Sequence, residues 1–190
     1  SYTHSRIARQ QGNYSTAQTL LEEAHQAFIN LGDWMGLGFA THNLGRLAAE
    51  LDDAVKARAL YEQALSLFQK IGCHTGESQC FHSLGVLYRQ QGDIPAAYTH
   101  LHKALEIRRR ITYPRGIAKA LANLALLHSQ SGDHPAALDL ALQAVQTIRP
   151  SGALPALAYT LICLGEVQLA RSDLPQARAA FKEALQIQQD

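Results

Sequence analysis

Cysteine, methionine and tryptophan are scarce in this chain of 190 residues, which carries 3, 1 and 1 of them, and aromatics make up only 7%. Cys73, Cys80 and Cys163 are odd in number and lack a framework spacing, so no disulfide scaffold is written here and the usage suits a reducing cytoplasm. Charge of one sign is missing as well: the formal net charge is +1. A nucleic-acid binder usually shows a basic face. The only dense basic run, Arg108-Arg109-Arg110, falls at an expected helix C-terminus and reads as a solvated patch favoured by the helix dipole. No apolar run can span a bilayer, because the longest, Ala153 to Gly165, is too short and contains Pro155. There is no strand-like alternation, no Gly-rich phosphate loop and no strand–turn–helix elbow around a Ser or Cys. Direct nucleic-acid binding, membrane insertion, nucleotide cofactors and enzymatic activity are therefore not expected.

What the chain does have is self-similarity. In Gly76–Arg110 the landmarks are Leu84-Gly85, Tyr88, Gly92-Asp93, Ala97, Leu101 and Ala104. Forty residues away in either direction they return without insertion or deletion: Leu44-Gly45, Leu124-Ala125 and Leu164-Gly165 match the first pair. Ala97 becomes Ala17, Ala57, Ala137 and Ala177, while Ala104 becomes Ala24, Ala64, Ala144 and Ala184. A fixed period of this size predicts a solenoid, in which each repeat packs on its neighbours.

Phe81, Leu84, Gly85 and Tyr88 fall on one face of a helix, A. Ile94, Ala97, Leu101, Ala104 and Leu105 make a second helical face, B. Between them Gly92 suits the left-handed residue that ends helix A, and Asp93 suits the N-cap of helix B. An Asn or Asp recurs at that cap as Asn13, Asp53, Asp133 and Asp173. Pro95, Pro135 and Pro175 fall in the first turn of helix B, where a missing N–H costs little. These residues resemble the tetratricopeptide repeat (TPR), and the forty-residue period is similar to the subtype of kinesin light chains, spindle-orienting adaptors, and bacterial signal-transducing ATPases and transcriptional regulators. The resemblance implies an all-α, right-handed superhelix of about ten helices in antiparallel pairs, with no β-sheet.

The repeats span about 1–31, 33–71, 75–111, 114–149 and 155–190, and together they make one solenoid domain over 1–190. Helix A of the first repeat is short, with Ser1 at the position of Phe81, and no capping helix follows the fifth repeat. The sequence thus reads as a segment of a larger protein, with Phe181 and Leu185 as an uncapped apolar end prone to self-association.

Nine histidines raise the question of metal. The densest group is Cys73, His74, Cys80 and His82, but residues two apart on a helix point about 200° apart, so Cys80 and His82 cannot converge on one ion. No metal site is expected. His128, at the position of Tyr88, reads as a packing residue.

The resemblance instead points to the surface lined by helix A, which in this family holds peptide or protein segments. With Gly85 as column eight, column two brings Phe39, Gln79, Lys119 and Tyr159, and column five brings His42 and His82. Column six brings Asn43 and Asn123, with Ser83 and Cys163 between and beyond them; column nine brings Arg46 and Glu166, and column twelve Arg89. Forty-residue relatives use a column-six Asn to pair with peptide backbone, since its amide is both donor and acceptor. The alternative role for Asn43 and Asn123 is a bond between neighbouring helices. Column five lacks the Lys of the carboxylate clamp in chaperone cofactors. The expected function is a protein- or peptide-binding scaffold; the alternatives are a ligand-sensing segment of a bacterial regulator and a structural spacer.

Overall fold

A computed structural model describes residues 13–189, all in helices or short turns. The helices are α1 (Tyr14–Leu31), α2 (Trp34–Glu50), α3 (Ala54–Lys70), α4 (His74–Gln90), α5 (Ile94–Arg110), α6 (Pro114–Gln130), α7 (His134–Ile148), α8 (Leu154–Ala170) and α9 (Leu174–Gln189). A 3-10 turn, Arg149–Ser151, separates α7 from α8. Even-numbered helices are the A helices of the repeat and odd-numbered ones the B helices. The first-repeat A helix expected near the N-terminus lies outside the described residues.

Every described helix B starts on the expected cap. Asn13, Asp53, Asp93, Asp133 and Asp173 accept the backbone N–H of Thr16, Lys56, Ala96, Ala136 and Gln176 at 3.2, 3.0, 3.1, 3.3 and 3.4 Å. The residue before the cap is left-handed: Asp52 has φ +59°, Gly92 +79°, Gly132 +81° and Ser172 +61°. Turns between repeats repeat the device at Gly32, Gly72, Thr112 and Gly152. Thr112 is the exception, because a β-branched residue at φ +51° is strained where its equivalents are Gly. Thr112→Gly is expected to raise stability by about 1 kcal/mol, read as a higher urea midpoint with unchanged slope; a lower midpoint would show that the threonine is not strained.

The chain divides into two compact units, with the boundary between Leu87 and Tyr88 inside α4. In the first unit, α2 packs against α1 and α3. Its core holds Phe68, Ala64 and Cys80, with Phe39, Leu65 and Cys73 packed around them. Phe68 is fully buried because glycine stands on both sides of it: a Cβ on Gly76 would fall 2.3 Å from the ring and one on Gly38 2.7 Å. In the second unit, α6 packs against α5, α7 and α8, and α8 against α7 and α9. Ala137, Ala141, Val145, Ile148, Leu161 and Val167 are among its core residues. The recurrent alanines Ala57, Ala64, Ala97, Ala104, Ala137 and Ala144 are all fully buried, where their small size lets helices approach.

Two local expectations change. Arg108 is not part of a solvated run: it is 3% exposed, whereas Arg109 and Arg110 are outside. Forty residues in either direction lie Phe68 and Ile148, both fully buried, so register in the repeat puts Arg108 in a core column. Its Nη1 donates to the Gly116 carbonyl at 3.0 Å, and burial pulls its pKa down to about 10. Phe181 is also turned inward and half-buried, since its ring lies on Gly165, where a Cβ would fall 2.6 Å away. Leu185 remains 54% exposed.

Candidate functional site

The residues expected on the helix-A face fall into two groups, one in each unit. In the first unit α2 carries Phe39, His42, Asn43 and Arg46, and α4 carries Gln79 and His82. His42 is 5% exposed, and its Nε2 lies 3.0 Å from Ser83 Oγ on α4. Tyr61 of α3, itself buried, shares a hydrogen bond with the same hydroxyl. Gly45 makes room for it: a Cβ there would fall 2.8 Å from the Tyr61 ring. Burial pushes the Tyr61 phenol up to about 12, against the opposing charge of Arg46. Ser83 thus ties α2, α3 and α4 together, and column five of one repeat meets column six of the next. Phe39 turns partly into the core, its ring 4.8 Å from that of Phe68. Asn43 is half-buried and donates one N–H to the Phe39 carbonyl at 2.9 Å, a bond within its own helix. Arg46 is exposed, while Gln79 and His82 are half-buried.

The second unit brings together Arg89, Lys119, Asn123 and Tyr159. Asn123 is 1% exposed. Its Nδ2 donates to the Lys119 carbonyl at 3.0 Å and to the Tyr159 hydroxyl at 2.8 Å, so it links α6 to α8. Lys119 Nζ sits 5.8 Å from the centre of the Tyr159 ring. Tyr159 is also hydrogen-bonded to Cys163 one turn on, and burial raises its pKa far above the ordinary phenol. Burial likewise pushes the Cys163 thiol up to about 11; the nearby Glu166 adds to the rise and Arg89 opposes it. Glu166 and Lys119 are exposed. Two polar atoms of this group, Asn123 Oδ1 and Arg89 Nε, are buried without a hydrogen-bond partner. Such atoms are uncommon in folded proteins and each calls for an explanation.

Cys80, like Cys163, is held as the thiol by burial, with its pKa raised to about 12, so neither offers a nucleophilic thiolate at neutral pH. Among the described residues no three His, Cys, Asp or Glu side chains converge as metal ligands. No helix among them is long and apolar enough to cross a membrane.

Columns taken one helix at a time do not reveal the connectors. Ser83 and Cys163, which share column six with Asn43 and Asn123, are the side chains to which Tyr61 and Tyr159 are hydrogen-bonded. A signal was available, since Tyr61 on helix B falls at the register of Leu101 and Phe181 and must face helix A.

No protein of curated function matches the chain. Solved structures that share its fold include BtubC (BKLC) from P. vanneervenii, 23% identical, with a TM-score of 0.76 over 97% of this chain and 76% of that one. A Rap protein complexed with Competence and Sporulation Factor is 16% identical, with a TM-score of 0.86 over 98% of this chain and 52% of that one. The Rap conjugation gene regulator of plasmid pLS20, solved in complex with the Phr peptide, is 20% identical, with a TM-score of 0.82 over 96% of this chain and 51% of that one. The chain therefore spans about half the length of the two Rap chains. At these identities the likeness concerns the fold. The tetratricopeptide repeat family pattern matches residues 2–70, 77–149 and 117–190, nearly the whole sequence, and the chain belongs to that family.

Proposed function

We propose that this chain is a peptide-binding scaffold whose helix-A face receives an extended protein segment. The observation that carries the reading is the group in the second unit, where a buried acceptor, Asn123 Oδ1, and a buried donor, Arg89 Nε, stand unpaired. Both atoms are covered in the free chain, so a peptide reaches them only once side chains over them have shifted; its alternating N–H donors and C=O acceptors then satisfy both kinds of atom. Lys119 and Tyr159 supply charge and an aromatic surface beside them. In the first unit Asn43 keeps its second N–H and its carbonyl oxygen for a ligand. A structural neighbour, the pLS20 Rap regulator, is itself solved with a peptide. That likeness supports a narrower second reading, in which this chain is the peptide-sensing part of a regulator.

Peptides selected from a randomised display library by the whole chain provide the probe. Asn43→Ala should weaken a peptide held by the first unit, and Asn123→Ala one held by the second, each roughly 3- to 10-fold, the effect of one lost hydrogen bond. Stability should separate the two. Asn43→Ala removes a bond within one helix and should leave the melting temperature nearly unchanged, whereas Asn123→Ala also cuts the α6–α8 link and should lower it. Failure to enrich any peptide, or unchanged affinity in both variants, would overturn the proposal.

A further inference from the structure

The first unit has a cleft away from these columns, of about 270 Å³, formed by α1, α2 and α3. Leu44, Leu47, Leu51 and Leu60 give it an apolar floor, and Gln18, Glu22, Asp53 and Lys56 a polar rim, with Ala48 between. Adding eighty to each number shows what the same places hold in the second unit. Leu44, Leu47, Asp53 and Leu60 become Leu124, Leu127, Asp133 and Leu140. Gln18, Glu22 and Ala48, however, become Tyr98, His102 and His128. Those three rings stand side by side at the corresponding place: Tyr98 lies 4.1 Å from His102, tilted, and 5.9 Å from His128, edge to face, centre to centre, with Tyr98 and His102 on the exposed side. The His128 ring also places Nδ1 3.2 Å from Asp133 Oδ2 while Asp133 Oδ1 caps α7.

The first unit keeps the carboxylate and lacks the ring. Asp53 Oδ1 caps α3 at Lys56 N, 3.0 Å away, as its counterpart does, but Ala48 offers nothing to the other oxygen. Gln18 and Glu22 bond to each other at 2.8 Å along the rim rather than stacking over the floor. The protein thus shows, within its own repeat, which chemistry this space accepts. At that place the second unit sets an aromatic ring whose Nδ1 lies 3.2 Å from the capping aspartate.

We propose that the cleft of the first unit binds a small planar nitrogen heterocycle, an azole with a ring N–H, in the place that His128 occupies in the second unit. The ring rests on Leu44, Leu47 and Leu60, and its N–H donates to Asp53 Oδ2. The charge of the rim agrees, since Glu22 and Asp53 against Lys56 leave the entrance net negative and favour a donor-bearing ring over an anion. This site is independent of the peptide reading.

Benzimidazole and 1-methylbenzimidazole, compared at a pH where both are neutral, test the proposal on the whole chain. They differ in the ring N–H. Amide resonances of Leu47, Ala48 and Leu51 should shift saturably with benzimidazole, and the methylated ring should bind at least about fivefold more weakly. Asp53→Asn keeps the cap oxygen but removes the charge, and should narrow that difference. Ala48→His supplies the ring from the chain itself and should abolish binding. His128→Ala opens the equivalent space in the second unit, so benzimidazole should raise its melting temperature more than that of the unaltered chain. Equal binding of the two probes, or no saturable shift at the cleft, would overturn the proposal. So would an Asp53→Asn variant that discriminates as well as the original chain, or a His128→Ala variant without extra stabilisation by the ligand.

Discussion

Phe68→Ala is expected to lower the stability of the first unit by about 3–5 kcal/mol, at the upper end of the range for a buried aromatic. The ring is fully buried and touches the core made by Ala64, Cys80, Phe39, Leu65 and Cys73. Its surroundings decide where in the range the loss falls. A cavity costs less when neighbouring side chains can relax into it. Here two walls are the bare backbones of Gly38 and Gly76, which have no side chain to contribute. Closing the void would require α2 or α4 to move as a body, against the close packing of the rest of the repeat. Urea unfolding followed by circular dichroism measures the loss, and amide exchange places it in α2 to α4. Gly76→Ala gives the reciprocal test, since its methyl would collide with the ring. Combined with Phe68→Ala, it should cost clearly less than the sum of the two changes, because the methyl then enters space the ring has left. A loss below about 1 kcal/mol for Phe68→Ala would mean that the ring does not fill this hollow.

The caps at Asn13, Asp53, Asp93, Asp133 and Asp173 were legible because capping is local chemistry, settled by a side-chain oxygen and a backbone N–H three residues on. The alanine columns were legible because an unbroken register makes each repeat evidence about the others. At Arg108 the local argument and the periodic one disagree, and the burial follows the periodic one. Three arginines at a helix end look solvated, yet the column of Phe68 and Ile148 is core. Pairing across helices was less accessible. That Asn123 would spend both amide hydrogens inside the chain depends on Tyr159 in the next repeat standing within 2.8 Å, a distance no spacing rule supplies. The cleft beside Ala48 depended on a difference between repeats, small residue against His128, which becomes meaningful only once both units are folded.

Arg108 carries the other large expected effect, and its sign depends on the replacement. Arg108→Ala should cost about 2–4 kcal/mol, by removing a buried stem and leaving a cavity. Arg108→Met should instead be neutral or stabilising by up to about 1–4 kcal/mol, because it removes the desolvation cost of a buried charge while keeping the volume of the stem. Burial draws the cation's pKa down to about 10, the mark of the solvation this charge gives up on entering the core. The bond to the Gly116 carbonyl does not reverse this, because Gly116 lies in the first turn of α6 and its carbonyl also faces the helical N–H four residues on. Methionine is a better choice than the phenylalanine found at position 68. Tyr113 already covers part of Gly116, where a Cβ would fall 2.4 Å from its ring, whereas the equivalent residue next to Phe68 is the smaller Cys73. Only a slim, unbranched chain fits what remains, and that is the shape of the arginine stem. Melting temperatures of the two variants beside the unaltered chain decide the matter. If Arg108→Met were as damaging as Arg108→Ala, the guanidinium would be contributing through its bonds more than its burial costs, and the core-column account of this residue would fail.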